Sequence, residues 1–149
     1  MQVWRLVAAR HTRSALSGGG AALYGGRWNS VGTRMVYVAD SLALATLELS
    51  VHLVGAHLRY QAIELSIPDE LVNTLPTESL KRTWRTDVET CARIGDDWQH
   101  ANNSVALAVP SALIDPRSNE RNVLLNPTHR QFSAITEVQQ FEVTLDERL

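Results

Sequence analysis

The 149-residue sequence has one cysteine, so Cys91 has no intramolecular disulfide partner and no second thiol to share a metal. Long apolar runs are missing as well. None approaches the ~20 residues that cross a bilayer, and MQVWRLVAARHTR holds no apolar core of signal-peptide length. A cytoplasmic protein without membrane partners is expected. There is also no excess of positive charge: 14 Lys and Arg against 16 Asp and Glu give −2, leaving no global field for a phosphate backbone. Direct nucleic-acid binding is therefore not expected. Aromatics are scarce at 6%, yet 44% hydrophobic and 20% charged residues describe a chain that folds around one core, and the length predicts a single domain over 1–149.

Several chemical signatures are missing too. The glycines at 18–20 do not form GxxxxGK[ST], and no GxGxxG opens a helix after a strand. No serine sits in a GxSxG elbow. The five histidines, His11, His52, His57, His100 and His129, have no metal-ligand spacing, so no metal is expected.

Among the patterns that are present, residues 2–8 alternate loosely, with Val3, Arg5 and Val7 against Trp4 and Leu6, and predict a strand. Residues 14–32 are glycine-rich and polar and read as a functional loop. Residues 34–39 (RMVYVA) predict a strand, with Arg27 and Tyr37 on one hairpin. Asp40 or Ser41 can cap a helix from 42 to about 54, whose leucines fall on both sides and predict a mostly buried helix. Strict alternation predicts a strand at 60–67, ended by Pro68. From 78 to about 101, the spacing of Leu80, Trp84, Val88, Cys91, Ile94 and Trp98 predicts an amphipathic helix broken near Gly95. Short strands follow at 105–109, 123–125 and 141–145. Without regular βαβ alternation, this order predicts an α+β fold with a mixed, largely antiparallel sheet.

Against that frame Glu48 stands out. Steps of three and four from it pass through Ser41, Ala45, His52 and Gly55, a small or polar strip on an otherwise greasy helix. A carboxylate there needs either a partner, such as Arg5 or Arg34, or a task. Arg27 sits in Gly25-Gly26-Arg27-Trp28-Asn29, where paired glycines let the backbone approach a ligand and a guanidinium can grip phosphate oxygens. The plainer alternative is a solvated arginine on a turn. Tyr37 is either a ring to stack on a flat heterocycle or ordinary core. Ser111, after a strand end, either orients a ligand or caps a turn. The crowding of Arg5, Arg10, Arg13, Arg27 and Arg34 in the first quarter suits a small anionic ligand.

Taken in order, GGRWN from Gly25, VYVAD from Val36, LELSVHL from Leu47, VPSA from Val109 and LLNPTH around Leu125 resemble the RES domain, named for its Arg, Glu and Ser. The resemblance runs over nearly the whole chain, from Trp4 to Leu149. It implies a fold resembling the ADP-ribosyltransferases and a bacterial toxin restrained by an Xre-like antitoxin that covers the cleft mouth or obstructs it with an inserted segment. A homodimer within such a complex is left open. It also implies that NAD is a substrate rather than a resident cofactor, with cleavage of the nicotinamide–ribose bond and transfer of ADP-ribose to water or phosphate. Two rivals stand beside this: an ADP-ribosyltransferase acting on a protein, and a non-catalytic binding module. Carried over by position, the catalytic set is Arg27, Tyr37, Glu48 and Ser111, and NAD would be held by Arg5, Arg27, Tyr37, Ser111 and Asn126. Glu48 would stabilise developing positive charge, Arg27 aided by Arg5 would hold the pyrophosphate, and Tyr37 would stack beside nicotinamide. Ser30 stands where the family often has proline.

Overall fold

A computed structural model describes residues 1–52, 59–115 and 117–146. Among these, seven strands form one sheet: β1 (Gln2–Ala8), β2 (Val36–Ala39), β3 (Tyr60–Ser66), β4 (Val72–Thr74), β5 (Ala106–Pro110), β6 (Arg121–Leu125) and β7 (Thr136–Val143). Their spatial order is β4-β5-β6-β2-β1-β3-β7. Only β4 and β5 run parallel; all other pairs are antiparallel. Three helices, α1 (Gly19–Tyr24), α2 (Leu42–Ser50) and α3 (Val88–Ala101), complete the α+β fold that the patterning predicts.

The centre of the sheet is covered on both sides, which is why β5 and the end of β6 read as unbroken apolar runs. Ala106, Ala108, Val123 and Leu125 join Val3, Val36 and Ile63 in one layer. Leu107, Val109 and Leu124 face the opposite layer, with Trp28, Trp84 and Cys91. Beside that second layer, Leu44 and Ala45 of α2 rest on Leu6, Ala39 and Ala62.

Several boundaries differ from the sequence reading, each for a physical reason. The glycine-rich stretch contains α1, because its Ala21 carbonyl is taken by the backbone N–H of Gly25 and the side-chain amide of Asn29. Tertiary anchoring there overrides weak helix propensity. Arg27 and Tyr37 do not share a hairpin: the GGRWN turn closes on itself through a Gly26–Asn29 bridge. In α2, Ser41 is the cap, its Oγ accepting from Leu44 N at 3.0 Å. Only Leu44 and Ala45 of this helix are fully buried, while Leu47 and Val51 are exposed, because the helix meets the sheet along one side. The expected helix end near 54, and Gly55, lie outside the described residues.

Helix α3 starts ten residues later than expected. Asp87 caps it by accepting from Thr90 N at 3.0 Å, and residues 77–79 form a separate 3₁₀ turn after Pro76. Gly95 does not break it. A Cβ at Gly95 would lie 1.8 Å from the Trp28 carbonyl oxygen, so this glycine lets the GGRWN loop pack directly on the helix. Strand β4 carries no sequence signal because three residues are too few to show a periodicity, and β7 begins at Thr136 rather than 141. Its side chains are mostly exposed, so no apolar alternation marks its first half.

Candidate active site

A cleft of about 660 Å³ opens on the α2 side of the sheet. That is within the usual size for a small-molecule site. Its walls come from β1 and β2, from the segment holding α1 and GGRWN, from α2, and from Asn122 at the start of β6.

Glu48 reaches this cleft because it follows Leu44 by four positions and Ala45 by three, sharing the face by which α2 is anchored. Its Oε1 accepts from Ser111 Oγ at 2.7 Å and from Asn122 Nδ2 at 2.5 Å. Among the described residues Oε2 accepts nothing and Glu48 makes no ion pair, so neither Arg5 nor Arg34 neutralises it. One carboxylate oxygen is fixed by two neutral donors, and the other is left available.

Ser111 is 2% exposed and does not line the cleft. Its hydroxyl donates to Glu48 and accepts from Leu113 N at 3.0 Å. Its place is behind the carboxylate rather than against a ligand.

Arg27 projects from the GGRWN turn, whose shape is set by Asn29. That buried amide donates to the carbonyls of Ala21, Ser30 and Thr33, and its Oδ1 accepts from Tyr37 Oη at 2.6 Å. Tyr37 Oη in turn accepts from Trp28 N at 3.0 Å. Burial drives the Tyr37 phenol above its ordinary pKa, against the opposing Trp28 hydrogen bond, so it stays protonated and donates to Asn29. A Cβ at Gly26 would sit 2.7 Å from Tyr37 Oη, which explains a glycine beside Arg27. Arg27 Nη1 donates to the Arg85 carbonyl at 2.9 Å, fixing the guanidinium from one side. Asp96 of α3 holds the far end of the turn by accepting from Ser30 N at 3.0 Å. Burial alone would raise the Asp96 carboxyl, but hydrogen bonds from Ser30 and Thr33 outweigh it and hold the carboxyl below its usual range.

Arg5 enters from the sheet. Strands β1 and β2 are registered through one pair, Trp4 with Ala39, and Arg5 Nη1 reaches across to the Tyr37 carbonyl at 2.6 Å. Among the described residues its Nε is buried without a partner, and burial pushes the guanidinium down to about 10, opposed by Tyr37. A desolvated cation on a cleft wall favours an anion beside it.

Asn126 is placed elsewhere. It lies four residues beyond Asn122, fully buried at the other end of β6, donating to Asn102 Oδ1 at 2.9 Å and accepting from Thr128 N and Oγ1. It does not line the cleft. It is expected from the sequence to help hold the ligand, but its side chain orders the Asn-Pro-Thr turn instead, apart from the residues that line the cleft. The cleft thus gathers Glu48, Arg27, Tyr37 and Arg5, with Ser111 behind Glu48 and Asn126 remote. Sequence reasoning missed Asn122, Asn29 and Asp96. A carboxamide opening the apolar run Val123 to Leu125 was the available signal for Asn122.

The RES domain family signature matches residues 2–146, and the chain belongs to that family. It is 37% identical to "Toxin Res" of Photorhabdus laumondii over 100% of this chain and 97% of that protein. It is also 37% identical to "Prs ADP-ribosylating toxin" of Sphingobium sp. (strain YBL2), covering 85% of this chain and 82% of that one. Among solved structures, the Mycobacterium tuberculosis MbcT–MbcA toxin–antitoxin complex contains a similar fold, with TM-score 0.77 and 21% identity over 96% of this chain and 84% of the matched one. Among the described residues no helix is long and apolar enough to cross a membrane, and no three His, Cys, Asp or Glu side chains converge as metal ligands.

Proposed function

We propose that this chain is the toxin of a toxin–antitoxin system and that it cleaves the bond between nicotinamide and ribose in NAD. The observation that carries the reading is the Glu48 carboxylate, pinned through one oxygen in a cleft also lined by Arg5, Arg27 and Tyr37. When the C1′–N bond breaks, its electron pair leaves on the nicotinamide nitrogen and positive charge spreads over C1′ and the ring oxygen. A fixed anion stabilises that state more than the ground state. Water or inorganic phosphate then forms the new bond to C1′; water loses its proton to solvent. Arg27 and Arg5 would hold the pyrophosphate, and Tyr37 would bound the nicotinamide end with its ring. Ser111 and Asn122 act through Glu48, holding it in one rotamer so that little reorganisation remains at the moment of reaction.

A second reading differs only in the acceptor. The name of the Sphingobium relative favours transfer of ADP-ribose to a protein from a similar cleft. The experiment is a time course of NAD with purified protein, with and without phosphate, followed by labelled NAD in cell lysate. Free nicotinamide with ADP-ribose, or with its phosphorylated form, supports the first reading. Label retained on one protein supports the second, and NAD left intact at high enzyme concentration contradicts both.

The partner in this reading is an Xre-type antitoxin. Val51, Val88 and Leu113 are exposed apolar side chains on the cleft wall, and a protein lying across the mouth would bury them.

A further inference from the structure

We propose that Tyr24 is the stacking platform for a second flat heterocycle, the purine of an adenine dinucleotide, and so adds affinity for the ligand end opposite the nicotinamide. The inference rests on the dinucleotide reading above and adds to it. Tyr24 lines the cleft yet is 81% exposed, and among the described residues its ring and hydroxyl have no partner. The other aromatic side chains on the cleft are fixed by contacts within the fold, and the Tyr37 ring face is already assigned to the nicotinamide end. Trp4 meets Phe141 edge-on at 6.0 Å, Trp28 is buried against Trp84, and Tyr37 is tied through its phenol to Asn29 and Trp28. An unoccupied large ring on the wall of a ligand cleft leaves a π-face for a base, and such stacking tolerates any base geometry.

The backbone beneath Tyr24 is not loose. Gly25 N donates to the Ala21 carbonyl at 2.8 Å, Gly32 N to the Ala22 carbonyl at 2.8 Å, and Asn29 Nδ2 to the Ala21 carbonyl at 2.9 Å. The same Asn29 side chain that shapes the Arg27 turn therefore also holds α1. Tyr24 and Arg27 are three residues apart, so their backbones lie within about 10 Å. Along this one braced segment come an open aromatic ring, a phosphate-binding cation and, through Trp28, the contact to Tyr37. That order matches base, pyrophosphate and nicotinamide riboside in a dinucleotide.

The test is equilibrium binding of ADP-ribose to wild type, Tyr24→Ala and Tyr24→Phe, which requires no turnover. The expected result is about tenfold weaker binding for Tyr24→Ala, with Tyr24→Phe close to wild type. Nicotinamide mononucleotide, which lacks the purine, should bind wild type and Tyr24→Ala equally. Equal ADP-ribose binding by wild type and Tyr24→Ala, no binding of ADP-ribose to wild type, or equal losses for both ligands would overturn the proposal. Wild-type NAD turnover, run in parallel, tests the cleavage reading separately: intact NAD alongside Tyr24-dependent ADP-ribose binding sinks that reading and leaves this one standing.

Discussion

Asn122 donates to Glu48 Oε1 at 2.5 Å across 74 positions of sequence, joining the start of β6 to α2 beside the cleft. Ser111 donates to the same oxygen at 2.7 Å, so the carboxylate is aimed by two donors from one side. In Asn122→Ala the carboxylate regains rotamer freedom, and NAD turnover should fall about 10- to 100-fold through kcat with KM little changed. Ser111→Ala should also lower kcat, and because either single variant leaves one donor in place, the double variant should depart from additivity. Asn122→Asp should be more damaging than Asn122→Ala, since it sets like charges side by side. Steady-state kinetics on folded variants checks the series, and a wild-type rate in Asn122→Ala would contradict it.

Gly95→Ala tests the seat of the GGRWN turn. The new methyl would meet the Trp28 carbonyl at 1.8 Å, a backbone atom that cannot swing aside. Overpacking of this kind destabilises by about 1–3 kcal/mol. Chemical denaturation should show a lower midpoint, together with weakened ligand binding because Arg27 sits next to Trp28. An unchanged midpoint would show that the loop does not rest on α3 as described.

Arg5 ties stability to pH in an unusual direction. Burial pushes its folded-state value down to about 10, below the ordinary guanidinium value, so the unfolded chain holds the proton more tightly above that pH. This group therefore destabilises the fold below pH 10, and the penalty is relieved as pH rises above about 10. Arg5→Met should raise the denaturation midpoint at neutral pH or leave it unchanged, while weakening ADP-ribose binding at least tenfold. A lower midpoint with intact binding would show that Arg5 serves the fold and not the ligand.

Much of this was legible in the sequence because periodicity marks elements that bury one face or two. β1, β3 and the starts of α2 and β5 fall within a residue or so of where the pattern puts them. Glu48 could be singled out because a carboxylate amid leucines is costly unless used. The pattern failed where tertiary contact decides: Gly95 reads as a helix breaker until Trp28 is seen against it, and α1 reads as loop until Asn29 is seen holding it. Asn122 and Asn126 are both carboxamides bounding the same apolar strand. Which of them meets Glu48 depends on the direction in which β6 crosses the sheet, information that no local window contains.

In the proposed reaction the Glu48 charge drives rupture of the nicotinamide bond. Nicotinamide release from NAD should be compared between wild type and Glu48→Gln, which keeps the shape and the contact to Ser111 while removing the charge. The expected result is a loss of about 3–4 kcal/mol of transition-state stabilisation, roughly a hundred- to a thousand-fold in rate, with ADP-ribose still bound. Release at the wild-type rate from folded Glu48→Gln would contradict it.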